Sequence, residues 1–237
     1  MICDFNIEIS YICPACGNYF YGSCVSSYNT VGASFLSDGS MINCYDPFWL
    51  TRCPKCNQFF AKEYLFRLPK SISIFPTENN LSYWAKKELE NNEHFGRVDG
   101  YFGDDEPKVK FIENAIAQGL YFPVLVSEHR KKELNIQLYK DLWREYNRKR
   151  SAQSNDTYTE LCYKLISMIS PKNDENRLTL AELYRNVGDF EKCLATLEII
   201  VQSKKYDAFI ECIRAEALQK NTNAVKIIPE KATPWLV

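Results

Sequence analysis

The sequence predicts an α+β protein with a small antiparallel β domain over residues 1–76 and an all-α helical domain over 77–237. Three observations predict it. Two Cys-Pro-x-Cys pairs, Cys13-Pro14-Ala15-Cys16 and Cys53-Pro54-Lys55-Cys56, fall in the first third, among short runs that alternate apolar and polar residues. Beyond Pro76 the apolar residues recur every three or four positions, the period of a helix and not of a strand. A helix–turn–helix pattern, broken at Gly188-Asp189, closes the chain's second half.

The first element is a strand. Cys3, Phe5, Ile7, Ile9 and Tyr11 alternate with Asp4, Asn6, Glu8 and Ser10, a period of two that runs into the first cysteine pair. Two further strands are expected at 30–35 and 41–44, joined across Ser37-Asp38-Gly39-Ser40. Asp-Gly between such runs marks a hairpin, because the turn needs positive φ. Phe48-Trp49-Leu50 leads into the second pair and Phe59-Phe60 leaves it.

The cysteine pairs carry the chemistry. Two thiolates three positions apart grip one metal from a tight turn, and proline after the first cysteine stiffens that turn. Gly17 and Asn57 follow the second cysteines and tolerate the left-handed backbone that points amides at sulfur. Cys13, Cys16, Cys53 and Cys56 are therefore expected to form a zinc-ribbon-like site holding one structural Zn2+. The 36 residues between Cys16 and Cys53 exceed the ~15–20 of compact ribbons, and the inserted hairpin fills the difference. Four thiolates leave no vacant position for water, so the site is structural and not hydrolytic. Iron in a rubredoxin-like centre has the same four ligands and stays open as an alternative. Cys24 and Cys44, between the pairs, have the alternative of forming a second pair, but without His or a Cys-x-x-Cys partner they read, like Cys3, as buried small apolar residues.

A helix is expected at 81–91, with Leu81, Trp84, Ala85 and Leu89 on one face, followed by a Gly- and Asp-rich loop. Pro107 opens a second helix that Gly119 ends. A longer one covers 127–148, striped by Leu134, Leu138, Leu142 and Tyr146 with Tyr139 and Trp143 beside them. Its polar face carries Arg130-Lys131-Lys132 and Arg148-Lys149-Arg150, read as a solvated helix face. His94 and His129 have no partner at a catalytic spacing, and Asp104-Asp105-Glu106 lacks the spacing of a calcium loop.

Helices at 157–170 and 206–220 flank the best-formed unit. That unit, about 177–203, breaks at Gly188 and restarts with Asp189 as cap. Leu180, Ala181, Tyr184, Gly188, Phe190, Cys193 and Leu197 fall where a tetratricopeptide repeat places its small, aromatic and turn residues. Arg177 stands where that pattern has Trp, and the closing Pro is missing, so a single degenerate repeat is expected. Cys162, Cys193 and Cys212 fall on the apolar faces.

The order of these features resembles a group of uncharacterised bacterial proteins with an N-terminal four-cysteine zinc ribbon and a C-terminal tetratricopeptide-like helical region. The resemblance rests on the two cysteine pairs, Ser37-Asp38-Gly39, Leu142-Trp143 with Asn147, and Ala181-Glu182 followed by Arg185, Gly188, Phe190 and Glu191. It implies architecture and metal, and no activity.

Charge narrows the function classes. Basic and acidic residues balance at 29 against 30 overall. They balance locally too, at five each in 1–76, thirteen each in 77–150, and eleven against twelve in 151–237. Nucleic-acid binders show a basic face, so a nucleic-acid-binding ribbon is the disfavoured alternative. No apolar run approaches the ~18–20 residues of a membrane helix. An acid near the N-terminus, where an export signal carries base, predicts a cytoplasmic protein. No catalytic constellation and no small-molecule site is evident. The expected function is therefore a non-enzymatic, zinc-binding module that contacts another protein.

Overall fold

The computed structural model describes residues 6–25, 34–42, 48–64, 66–67, 108–149, 155–200 and 206–227. Several expectations lie outside these residues: the helix at 81–91, the boundary near Pro76, His94, the acidic run at 104–106, Cys3 and Cys44. The described residues form small antiparallel sheets towards the N-terminus and then six helices, the predicted α+β class. No helix among them is long and apolar enough to cross a membrane. The chain divides into two compact units, one of Met1–Asn29 with Tyr45–Asn135, the other of Thr30–Cys44 with Ile136–Val237.

In the first unit, β1 (Asn6–Ile12) pairs antiparallel with β2 (Tyr19–Val25), Tyr11 opposite Phe20. A second hairpin is made by two three-residue strands, Leu50–Arg52 and Phe59–Ala61 (β5 and β6 in chain order), Thr51 opposite Phe60. The short strand Phe66–Arg67 (β7) adds to the free edge of β1. Helix α1 (Lys108–Gln118) ends where Pro107 and Gly119 predict. Its Phe111 meets Phe59 edge-on at 5.1 Å and Phe48 at 6.3 Å, and the Arg52 guanidinium lies over both the Phe59 and Phe111 rings. Aromatic rings thus do here what a larger aliphatic core does in bigger domains.

The second unit holds the expected Asp-Gly hairpin in shortened form. Strand β3 (Ser34–Leu36) pairs with β4 (Met41–Ile42), and Gly39 takes φ +79° in the turn between them. Sequence reasoning placed this hairpin in the N-terminal β unit. It pairs instead with β8 (Lys226–Ile227), Phe35 opposite Ile227, near the far end of the chain. The reason is burial. Phe35 enters a core of Leu178, Ala181, Leu197, Phe209, Ile213 and Ile227, edge-on to Phe209 at 6.3 Å.

Among the described residues five helices follow α1: α2 (Glu128–Arg148), α3 (Asn155–Met168), α4 (Asp174–Asn186), α5 (Phe190–Glu198) and α6 (Asp207–Leu218), and that core draws on the last three. The expected stripe of α2 is buried from Leu134 through Leu138, Leu142 and Trp143 to Tyr146. Asn173 caps α4 by accepting from the Asn176 amide, and Asp189 caps α5 by accepting from that of Lys192. Arg148 departs from the solvated face expected of it. Its guanidinium pairs with Glu145 and donates to the Met41 carbonyl at 3.1 Å, fixing the hairpin edge.

A buried polar network holds the turn. Ser37 donates to Glu182 at 2.7 Å, and Arg185 donates to Glu182 and to the Ser37 hydroxyl. Asn147 donates to Asp38 at 2.7 Å, while Tyr158 and Trp143 both donate to Asn186. These residues are the ones the sequence showed in separate stretches: Ser37-Asp38, Trp143 with Asn147, and Glu182 with Arg185.

Candidate metal centre

Each cysteine pair sits at the tip of a hairpin, the first between β1 and β2, the second between β5 and β6. The tips are built alike. The Cys13 amide donates to the Asn18 carbonyl at 2.8 Å and the Cys53 amide to that of Gln58 at 3.0 Å. The chain then turns back, so that the Gly17 amide reaches the Cys13 carbonyl at 2.9 Å and the Asn57 amide that of Cys53 at 3.0 Å. Closing this turn requires positive φ, and Gly17 (+71°) and Asn57 (+56°) supply it.

The two tips face each other. All four sulfurs, from Cys13, Cys16, Cys53 and Cys56, lie within 4.8 Å of one another. Two approaches join one tip to the other: Cys13 Sγ to Cys56 Sγ at 3.7 Å, and Cys16 Sγ to Cys53 Sγ at 3.7 Å. A regular tetrahedron with metal–sulfur bonds of ~2.3 Å has sulfur–sulfur edges of ~3.8 Å. The observed edges match that figure and are far too long for disulfides, which need ~2.0 Å. The residues present therefore fit one tetrahedral metal ion.

Burial is uneven. Cys13 and Cys53, the first cysteine of each pair, are 1% and 0% exposed, whereas Cys16 faces solvent and Cys56 is half-buried. Burial pushes the Cys13 thiol far above its ordinary value and the Cys53 thiol up to about 11. The amides of Ala15 and Cys16, and of Cys56 and Lys55, oppose this by pointing at the sulfurs. At Cys16 a smaller burial effect is outweighed by the Asn18 amide and by the three other thiols, which hold it below the ordinary range. Four sulfurs packed this closely cannot all ionise in a low-dielectric core unless a cation lies among them. The four sulfurs make a donor set of the right spacing and charge to hold one.

Around the sulfurs, Tyr11, Phe20 and Phe60 form the apolar shell. Tyr121 completes it, and nothing in the sequence pointed to it. Its amide donates to the Phe59 carbonyl at 2.7 Å, and its hydroxyl to the Pro14 carbonyl inside the first tip at 3.2 Å. Leu120 bridges Phe59 alongside. The segment after α1 thus ties one tip to the strand that leaves the other. The only signal was an apolar run after Gly119, and apolar runs carry no hint of a hydrogen bond.

The remaining candidates lie elsewhere in the fold. His129 is exposed in the first turn of α2 and pairs with Glu133 at 3.2 Å. Arg130 pairs with Glu63 and Glu133, and Lys131 with Glu128, so the first basic cluster is matched by carboxylates. Cys162 and Cys193 are buried and Cys212 half-buried in the helical unit, and burial raises Cys193 to about 12 and Cys212 to about 11. For Cys24 the backbone, paired with Ile7, is what the structure describes. No protein-family model matches the chain, and neither a curated protein nor a solved structure was found to be similar to it.

Proposed function

We propose that the protein is a non-enzymatic interaction module, cytoplasmic, whose first unit is a zinc ribbon folded around one structural Zn2+. The observation that carries this reading is the arrangement of four sulfurs at tetrahedral spacing with 3.7 Å between tips. A metal held by four thiolates has no free coordination position, so it supplies folding energy and neither activates water nor polarises a substrate. A structural zinc contributes ~10–16 kcal/mol in zinc-finger peptides, a large term for strands as short as Leu50–Arg52 and Phe59–Ala61. Zinc is favoured over iron because a given donor set binds Zn2+ more tightly than Fe2+ in the divalent series.

The helical unit supports the partner side of the proposal. The hairpin of α4 and α5, turning at Gly188-Asp189, has the tetratricopeptide-like pattern described above, and α6 packs on both helices. A helical pair of this pattern is the unit from which protein-binding solenoids are built, and the partner proposed is another protein. The test is affinity capture from host extract with the purified full-length chain at physiological salt. One protein retained in stoichiometric amount, and re-formed from purified components, supports the reading. A chain that stays alone in every extract contradicts it.

A further inference from the structure

The four sulfurs are not equivalent, and their differences point to a response to oxidation. Cys16 is the exposed member of the set, and it lies 3.7 Å from the fully buried Cys53 of the opposite tip. The second cross-tip pair, Cys13 and Cys56, has the same separation. A disulfide needs ~2.0 Å between sulfurs. Each cross-tip pair therefore closes when its sulfurs approach by less than ~2 Å.

We infer that hydrogen peroxide converts this centre from a metal-linked to a disulfide-linked state, through a bond between Cys16 and Cys53. The inference rests on the metal reading above. The Cys16 sulfur, reachable from solvent, attacks one peroxide oxygen; the O–O bond breaks, the other oxygen leaves as water after taking a proton, and Cys16 becomes a sulfenic acid. The Cys53 thiolate then attacks the Cys16 sulfur and forms the S–S bond, and the sulfenic hydroxyl leaves with a proton as a second water. One peroxide is reduced and two thiolates are oxidised. A second peroxide does the same for Cys13 and Cys56. With its ligands consumed in pairs, the divalent ion is released.

The cross-tip pairing has a structural consequence. A disulfide within one tip, Cys13 to Cys16, would leave the two hairpins unlinked once the metal departs. A Cys16–Cys53 bond keeps the β1–β2 hairpin joined to the β5–β6 hairpin, so the oxidised unit loses metal without losing the link that holds it together. That distinguishes a reversible switch from oxidative damage.

The sequence makes the pairing readable. Trypsin cuts after Arg52, Lys55 and Lys62, which separates Cys53 (peptide 53–55) from Cys56 (peptide 56–62), with Cys13 and Cys16 together in 1–52. The reduced, metal-loaded full-length chain is treated with one and then two equivalents of hydrogen peroxide. Released metal is read with a colorimetric chelator and the digest is mapped without reduction. The expected result is loss of one metal ion per chain and a 1–52 peptide linked to 53–55, with fragmentation assigning Cys16. Dithiothreitol and added metal should restore the starting state. Metal retained under peroxide that oxidises free cysteine, or a 53–55 peptide linked to 56–62, overturns the inference. A reduced chain that holds no metal at the outset contradicts the proposed function instead, and the linkage found after oxidation still decides this one.

Discussion

Ser37 and Glu182, 145 residues apart, meet at 2.7 Å in the interior of the helical unit, and both are 1% exposed. Glu182 also receives the Arg185 guanidinium, whose Nε lies 2.8 Å from it, and Arg185 is itself fully buried. Burial raises the Glu182 carboxyl above its usual range, while Arg185 and Ser37 pull it back down. A buried pair of this kind adds little over apolar residues of the same size, but breaking it strands the remaining charge.

Glu182→Ala should therefore destabilise the helical unit by about 3–5 kcal/mol, because Arg185 stays buried without its carboxylate. Replacing Glu182 and Arg185 together with Met should cost less than the single change. Chemical denaturation followed by circular dichroism checks both. A Glu182→Ala chain as stable as the parent would mean that the pair is not buried as described.

Lys140 on α2 gives a pH signature. It is 7% exposed, and burial, with the Arg144 charge next, lowers its amine to about 8 against the attraction of Glu175 and Asp141. The folded amine thus releases its proton before the unfolded one does. Below pH 8 the buried charge destabilises the fold fully, and the penalty fades as pH rises from about 8 to about 10.5, where the unfolded chain binds more protons. A shift of this size corresponds to about 3 kcal/mol. Lys140→Met should be the more stable protein at pH 7, with its advantage shrinking by pH 10. A gap that stays constant across that range counts against a buried amine.

Tyr121 offers a test of the shell around the sulfurs. Tyr121→Phe keeps the ring and removes the donor to the Pro14 carbonyl. The expected cost is about 1 kcal/mol, or roughly fivefold weaker metal retention in competition with a chelator. Unchanged retention would show that the hydroxyl plays no part in holding the first tip.

Removing the metal should separate the two units' fates. With a strong chelator under reducing conditions, amides of β1, β2, β5 and β6 should lose protection in hydrogen exchange. Leu36 and Ser37 should keep it, because their amides donate to Ser40 and Val225 inside the helical unit. Loss of protection at Leu36 and Ser37 together with β1 would mean that the hairpin depends on the metal centre.

The contrast between these sites shows what a sequence makes legible. The cysteine pairs, the Asp-Gly turn and the ends of α1 and α5 rest on neighbours within about five positions, so local chemistry reveals them. The pairing of Phe35 with Ile227 joins strands of three and two residues across most of the chain, and no local pattern encodes it. Glu182 and Arg185 were visible as residues, yet charged side chains are almost always found at the surface, and nothing marked these as interior. Tyr121 was hidden for the opposite reason, as one aromatic among many in a chain with 15 Tyr and 14 Phe.

The central claim is that Cys13, Cys16, Cys53 and Cys56 together hold one metal ion. X-ray absorption at the zinc edge on the purified, reduced chain tests it most directly. The account predicts one zinc per chain with four sulfur neighbours at ~2.3 Å and no oxygen or nitrogen in the first shell. Zinc with an oxygen or nitrogen ligand, or a chain that retains no metal when purified without chelator, would contradict it.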